Sequence, residues 1–121
     1  MALILITDDA AFSRRMIRKA VEKAGHEAIE AGNGVECVAK VAERPPDCIL
    51  LDLLMPEMDG YGVLASLRDQ GLEIPVIVLS ADIQASTHKQ CMELGAFLMV
   101  RKPPKAPEIA DAIDKALNAN N

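Results

Sequence analysis

Five short apolar runs punctuate this chain, and each is followed by a longer stretch with helical periodicity. The runs are Leu3–Ile6, Glu27–Ala31 (the weakest), Cys48–Leu51, Val76–Leu79 and Phe97–Val100. A strand that is apolar at every position must be covered on both faces, which happens in a parallel sheet flanked by helices. Between the runs, Phe12, Met16, Ala20, Val21 and Ala24 recur at helical spacing and define the apolar side of a first helix. Asn33-Gly34 reads as a helix cap before Val35, Val38, Ala39 and Ala42. Val63, Leu64 and Leu67 mark a third helix, and a fourth runs from about Gln84 to Leu94. The last spans about Pro107 to Leu117, with Ile109, Ala112, Ile113, Ala116 and Leu117 on one side. Gly25, Gly71 and Gly95 stand where helix C-termini favour glycine, and Pro45-Pro46 closes the second helix. The tail from Asn118 to Asn121 is expected to fray.

Five βα units in 121 residues fill one domain, expected to span residues 1–121. Half the residues are apolar, enough for one core, built from aliphatics because aromatics are scarce. A net charge of −5 argues against a nucleic-acid partner, which calls for a basic face. No apolar run approaches the length of a membrane span, and no targeting segment precedes Asp8, so a cytoplasmic protein is expected. Cys37, Cys48 and Cys91 form no CxxC pair and read as small apolar residues in a reducing compartment.

The position of the polar residues carries the functional signal. Asp8 and Asp9 follow the first run, Asp52 the third, Ser80 the fourth and Lys102 the fifth. In a parallel sheet the carboxyl ends of all strands share one edge, and ligands bind in the crevice outside it. Three carboxylates gathered there repel one another, so one must hold a proton or a cation must intervene. All-oxygen ligands select a hard ion such as Mg²⁺. Lys102 adds a point charge suited to a phosphoryl oxygen. A carboxylate can itself attack phosphorus to give an acyl phosphate, and such transfer needs mainly positioning and charge neutralisation.

These segments resemble the receiver domains of bacterial two-component response regulators, most of all the single-domain chemotaxis type. Leu5-Ile6-Thr7-Asp8-Asp9 resembles the acidic-pair motif, and Pro46 through Gly60, centred on Asp52, the phosphoacceptor segment. Pro75 through Ala81, Gly95-Ala96 and Lys102-Pro103 complete the pattern. The resemblance implies a flavodoxin-like (βα)5 fold, doubly wound, with strand order 2-1-3-4-5. It implies Asp52 as phosphoacceptor, and Asp8, Asp9, Asp52 and the Leu54 carbonyl as Mg²⁺ ligands. Ser80, the Ala81 amide and Lys102 would hold the phosphoryl group, and the Lys102–Pro103 bond would be cis. A histidine kinase or histidine phosphotransfer protein would be the donor. The output would be a protein target on the face of the fourth helix, fifth strand and fifth helix, in a signalling domain rather than a turnover enzyme.

The chain departs from the family pattern at two places. Met99 stands where an aromatic switch residue is usual, and Pro104 where a large apolar residue is common. Met99 reads either as an altered switch or as a movable apolar plug. Leu54 and Asp82 fall where side chains tune dephosphorylation in the family. His26 and His88 are expected at the surface, and Arg14 and Arg15 on a solvated face, with a partner role open to the first helix. Two rival functions remain: a phosphorylation-independent scaffold with the same fold, and a phosphohydrolase using an aspartyl nucleophile. The second fits poorly, because such enzymes place the nucleophile after the first strand and need chain for a cap domain.

Overall fold

The computed structural model describes residues 1–119. The elements alternate as β1 (Leu3–Thr7), α1 (Ala11–Lys23), β2 (Glu27–Ala31), α2 (Gly34–Glu43), β3 (Cys48–Asp52), α3 (Gly60–Asp69), β4 (Val76–Ser80), α4 (Ala85–Glu93), β5 (Leu98–Arg101) and α5 (Ala106–Asn118). The sheet is parallel with order β2-β1-β3-β4-β5, the doubly wound arrangement the resemblance implied. Every residue of β3 and β4 is buried, which explains why these strands are apolar without alternation until their last residues, Asp52 and Ser80.

Alternation along the strands sorts the core into two layers. Ile4, Ile6, Leu50, Ile77 and Leu79 pack with Ile17 and Val21 of α1 and with Ile109 and Ile113 of α5. Leu5, Ile49, Leu51 and Val78 pack with Cys37 and Val41 of α2, Val63 and Leu67 of α3, and Cys91 of α4. Burying an aliphatic side chain contributes roughly 1.5–3 kcal/mol, so the two layers dominate the stability. The three cysteines are free and buried, as small apolar residues would be.

Gly25, Gly71 and Gly95 all have positive φ just past their helices, as the sequence signals predicted. Asn33 caps α2 by accepting the Glu36 amide, so its pairing with Gly34 is a helix start. Asp59 caps α3 through the Gly62 amide. Gly60 is required by close approach, since a Cβ there would stand 2.8 Å from the Leu53 Cα.

Two apolar stripes were misassigned. On α1 the expected Val21 is buried, but with Ile17 rather than with Phe12 and Met16, which are 73% and 53% exposed; Ala20 is partly covered and Ala24 exposed. The helix carries two adjacent apolar stripes, and periodicity alone does not say which one meets the sheet. On α2 the buried set is Gly34, Cys37 and Val41; Val35, Ala39 and Ala42 are exposed and Val38 is only partly covered. Two of its three residues are a glycine and a cysteine, which a search for aliphatics passes over. Asn118 closes α5, and the expectation of a frayed end at Asn120 and Asn121 lies outside the described residues. Among the described residues no helix is long and apolar enough to cross a membrane.

Candidate functional site

The strand register places the singled-out residues along one edge. Thr7, immediately before the acidic pair, lies beside Leu51; Asp52 lies beside Leu79; Ser80 lies beside Arg101, immediately before Lys102. The Lys102 amide donates to the Ser80 carbonyl at 3.0 Å, which carries the pairing of β4 and β5 out to the rim. The chain therefore turns at the ends of β1, β3, β4 and β5 within one crevice. Sequence separations as large as that between Asp8 and Lys102 collapse to a contact of 2.9 Å.

Asp8, Asp9 and Asp52 each bring a carboxylate oxygen within 4.8 Å of the others. Asp8 is fully buried and Asp52 nearly so, while Asp9 is exposed. The Lys102 ammonium lies 2.9 Å from Asp8 Oδ2 and 3.2 Å from Asp52 Oδ2, joining the two buried acids. An all-oxygen cluster of this density, only partly neutralised by one lysine, fits a hard divalent cation. The charge state of the cluster supports that fit. Burial pushes Asp52 above its ordinary range, and the neighbouring Asp8 and Asp9 charges add to the push against the pull of Lys102.

Asp8 goes the other way. Burial opposes its ionisation, but hydrogen bonds from Ser13, Lys102 and the Ala10 amide outweigh it, and its pKa falls. Ser13 Oγ donates to Asp8 Oδ2 at 2.6 Å, and the Ala10 amide to Oδ1 at 2.9 Å. Lys102 loses to burial but gains more from Asp8 and Asp52, so its ammonium is stabilised. Arg14 Nη1 donates to the Asp8 backbone carbonyl at 2.6 Å, and its Nε to Glu30 at 2.8 Å. Arg14 was expected on a solvated face; it is partly buried and tied to the acidic turn, whereas Arg15 is exposed.

Ser80 is buried, and its Oγ accepts the Asp82 amide at 3.0 Å. The Asp82 carboxylate accepts the Gln84 amide at 3.0 Å and the Thr87 hydroxyl at 2.7 Å, tying the loop after β4 to the first turns of α4. These bonds hold Asp82 below the usual carboxylate range, the Gln84 amide contributing most. Leu54, two residues past Asp52, is 72% exposed. Met99 is half-buried and packs against the core layer of α2, α3 and α4, bordering a cavity of about 130 Å³ with Ile83 and His88. The Lys102–Pro103 peptide is cis. His88 is exposed; His26 is partly covered, its Nδ1 accepting the Ala2 amide.

Sequence reasoning missed Ser13, Arg14 and Thr87 as parts of this constellation. Ser13 carried a readable signal, since it sits in the first turn of α1 beyond an acidic pair at the strand end. Arg14 gave none, because its partner Glu30 is set by how α1 packs beside β2, whereas Thr87 meets Asp82 only five residues away, within the turn that opens α4.

Residues 4–114 match the family model for the response regulator receiver domain. The chemotaxis protein CheY of Bacillus subtilis is 40% identical over 116 residues, covering 95% of this chain and 97% of the relative. CheY of Thermotoga maritima is 36% identical over 113 residues, covering 93% and 94%. Among solved structures, the receiver domain of the Francisella response regulator 1452 superposes with a TM-score of 0.95 at 25% identity, covering all of both chains. The chemotaxis protein CheY4 of Vibrio cholerae superposes with a TM-score of 0.91 at 26% identity, covering 97% of this chain and 99% of the other.

Proposed function

This chain belongs to the response regulator receiver domains, the phosphoacceptor switches of two-component signalling, and on that premise we propose that Asp52 accepts a phosphoryl group from a phosphohistidine. The observation that carries the reading is the crowding of three carboxylates around one lysine at the carboxyl edge of the sheet. Residues 1–121 act in this reading as one receiver unit. The donor is a histidine kinase or a histidine phosphotransfer protein.

Asp8, Asp9, Asp52 and the Leu54 carbonyl would hold Mg²⁺, which when bound neutralises charge on the carboxylates and on the incoming phosphoryl group. Asp52 supplies the nucleophilic oxygen. A bond forms from that oxygen to phosphorus as the bond from phosphorus to the donor's imidazole nitrogen breaks. Lys102, already between Asp8 and Asp52, pairs with a phosphoryl oxygen, joined by the Ser80 hydroxyl and the Ala81 amide. Asp8 stays ionised and fixed because its donors are built into the first turn of α1.

The Ser80 hydroxyl also serves the readout. Its oxygen accepts the Asp82 amide, and Asp82 holds Thr87 near the start of α4. Turning that hydroxyl toward a phosphoryl oxygen pulls on the loop between β4 and α4. The α4-β5-α5 face then shifts between two arrangements, and a protein target reads the difference. Met99 serves as the apolar filler behind that face.

The test is incubation with a small phosphodonor and Mg²⁺, followed by intact mass measurement. Wild type gains one phosphoryl group; Asp52→Asn gains none. No gain in wild type, or an equal gain in the variant, removes the proposal.

A further inference from the structure

Asp9 is the exposed member of the three carboxylates, and it is held differently from the other two. Ser13, Lys102 and the Ala10 amide fix the Asp8 carboxylate, and Lys102 meets Asp52. Among the described residues no hydrogen bond or ion pair fixes the Asp9 side chain, so its direction is left to the backbone on either side of it. Both flanking peptides are pinned. The peptide joining Asp9 to Ala10 gives its N–H to Asp8 Oδ1 at 2.9 Å. The peptide joining Asp8 to Asp9 offers its carbonyl oxygen, which accepts from Arg14 Nη1 at 2.6 Å.

The second pin is aimed from outside the crevice. Arg14 Nε donates to Glu30 Oε1 at 2.8 Å, and Glu30 stands on β2 beside Ile6 of β1. The other Glu30 oxygen accepts from Arg18 Nη1 at 2.6 Å, and Arg18 Nε reaches Glu22 at 3.3 Å. Lys40 donates to the Glu30 backbone carbonyl. A guanidinium is planar and its N–H groups diverge in fixed directions, so seating Nε on Glu30 points Nη1 at the Asp8 carbonyl. The Arg14 side chain is only 21% exposed, which limits competition from water for that charge-assisted bond.

We propose that Arg14, aimed by Glu30, is a positioning residue of the cation site: it holds the Asp8–Asp9 peptide so that the Asp9 carboxylate stays with Asp8 and Asp52. The inference rests on those three acids being the metal ligands and adds a determinant that ligates nothing itself. Charge alone predicts the opposite sign. A guanidinium repels a nearby cation, so by Coulomb's law its removal tightens Mg²⁺ binding. Loss of positioning weakens binding, because the freed peptide must be ordered when the ion arrives.

The experiment measures the Mg²⁺ dissociation constant by ¹H–¹⁵N NMR titration of wild type, Arg14→Ala, Arg14→Lys, Asp9→Asn, and Asp9→Asn combined with Arg14→Ala. Arg15→Ala, at an exposed cation one residue on, is the charge control. Arg14→Ala should weaken Mg²⁺ binding roughly fivefold, the worth of one net hydrogen bond, while Arg15→Ala does not weaken it. Arg14→Lys keeps the charge but loses the fork and should weaken binding roughly threefold; it carries the test if the alanine variant does not fold. In the Asp9→Asn background the Arg14→Ala change should cost nothing further, because no carboxylate is left to aim. Unchanged or tighter binding in both Arg14 variants overturns the proposal, as does a loss that persists undiminished without the Asp9 carboxylate. No Mg²⁺ binding by wild type, or full binding by Asp9→Asn, overturns the ligand assignment first and the positioning role with it.

Discussion

The ends of β1 and β3 hold two carboxylates in one crevice, bound to one ammonium, yet the two are treated oppositely. Asp8, at the β1 end, is completely buried and saturated by the Ala10 amide, the Ser13 hydroxyl and Lys102. Even its backbone carbonyl is held, by Arg14. Asp52, at the β3 end, has Lys102 at 3.2 Å and two acidic neighbours, and its pKa moves up instead of down. The difference teaches how one fold makes a fixed anion and a reactive one from the same side chain. Donors from the following helix anchor the first, and their scarcity leaves the second in need of a cation or a bond.

Removing the shared cation tests this contrast most severely. Lys102→Met should destabilise the protein by about 2–3 kcal/mol at neutral pH, below the full cost of a broken buried pair because Lys102 retains 22% exposure. The loss should shrink on acidification, as the uncompensated carboxylates take up protons; urea denaturation across pH checks both. Ser13→Ala touches only the β1 side. It should cost about 1.5 kcal/mol, the value of a hydrogen bond to a charged group. The folded pKa of Asp8 is depressed, so its stabilisation is present above the unfolded carboxylate range and is lost as pH falls through the folded value. Ser13→Ala should shift that loss to higher pH and leave Asp52 unmoved.

Asp52→Asn should do the reverse of a damaging mutation. The folded pKa of Asp52 is raised, so its ionisation costs the native state once pH exceeds the unfolded value. Without divalent metal, the variant should be more stable than wild type by about 1 kcal/mol at neutral pH, and the gain should vanish below the ordinary carboxylate range. A melting curve without divalent metal tests the sign. The smallest effect belongs to Glu30, whose pKa is lowered chiefly by Arg18, with burial opposing and Arg14 assisting. Its carboxylate is about a third exposed, so Glu30→Gln should cost only about 0.5 kcal/mol above the carboxylate range and nothing below the depressed value. Because Glu30 steadies Arg14, any change at the site should appear at Asp8 before Asp52.

The same contrast explains how far the sequence could be read. The sheet was legible because β1, β3 and β4 are buried on both faces and so are apolar nearly throughout. The rim residues were legible because a polar residue at the end of such a run is conspicuous, and Asp8, Asp9, Asp52, Ser80 and Lys102 do share one edge. Helix faces were less legible. Whether Phe12 and Met16 or Ile17 joins Val21 in the core depends on how α1 is rotated against the sheet, which its own periodicity leaves open. The asymmetry between Asp8 and Asp52 was legible only as far as the placement of Ser13 signals it, since the shift of Asp8 arises from Ser13, Lys102 and the Ala10 amide acting through three-dimensional placement.

The direct test of the shared crevice is site-resolved ¹³C NMR titration of the Asp8 and Asp52 carboxyl groups, without and with Mg²⁺. Asp8 should titrate below and Asp52 above the ordinary carboxylate range without the ion, with Asp52 dropping when Mg²⁺ is added. Ordinary titration of Asp52 that Mg²⁺ leaves unmoved would contradict the contrast between the two.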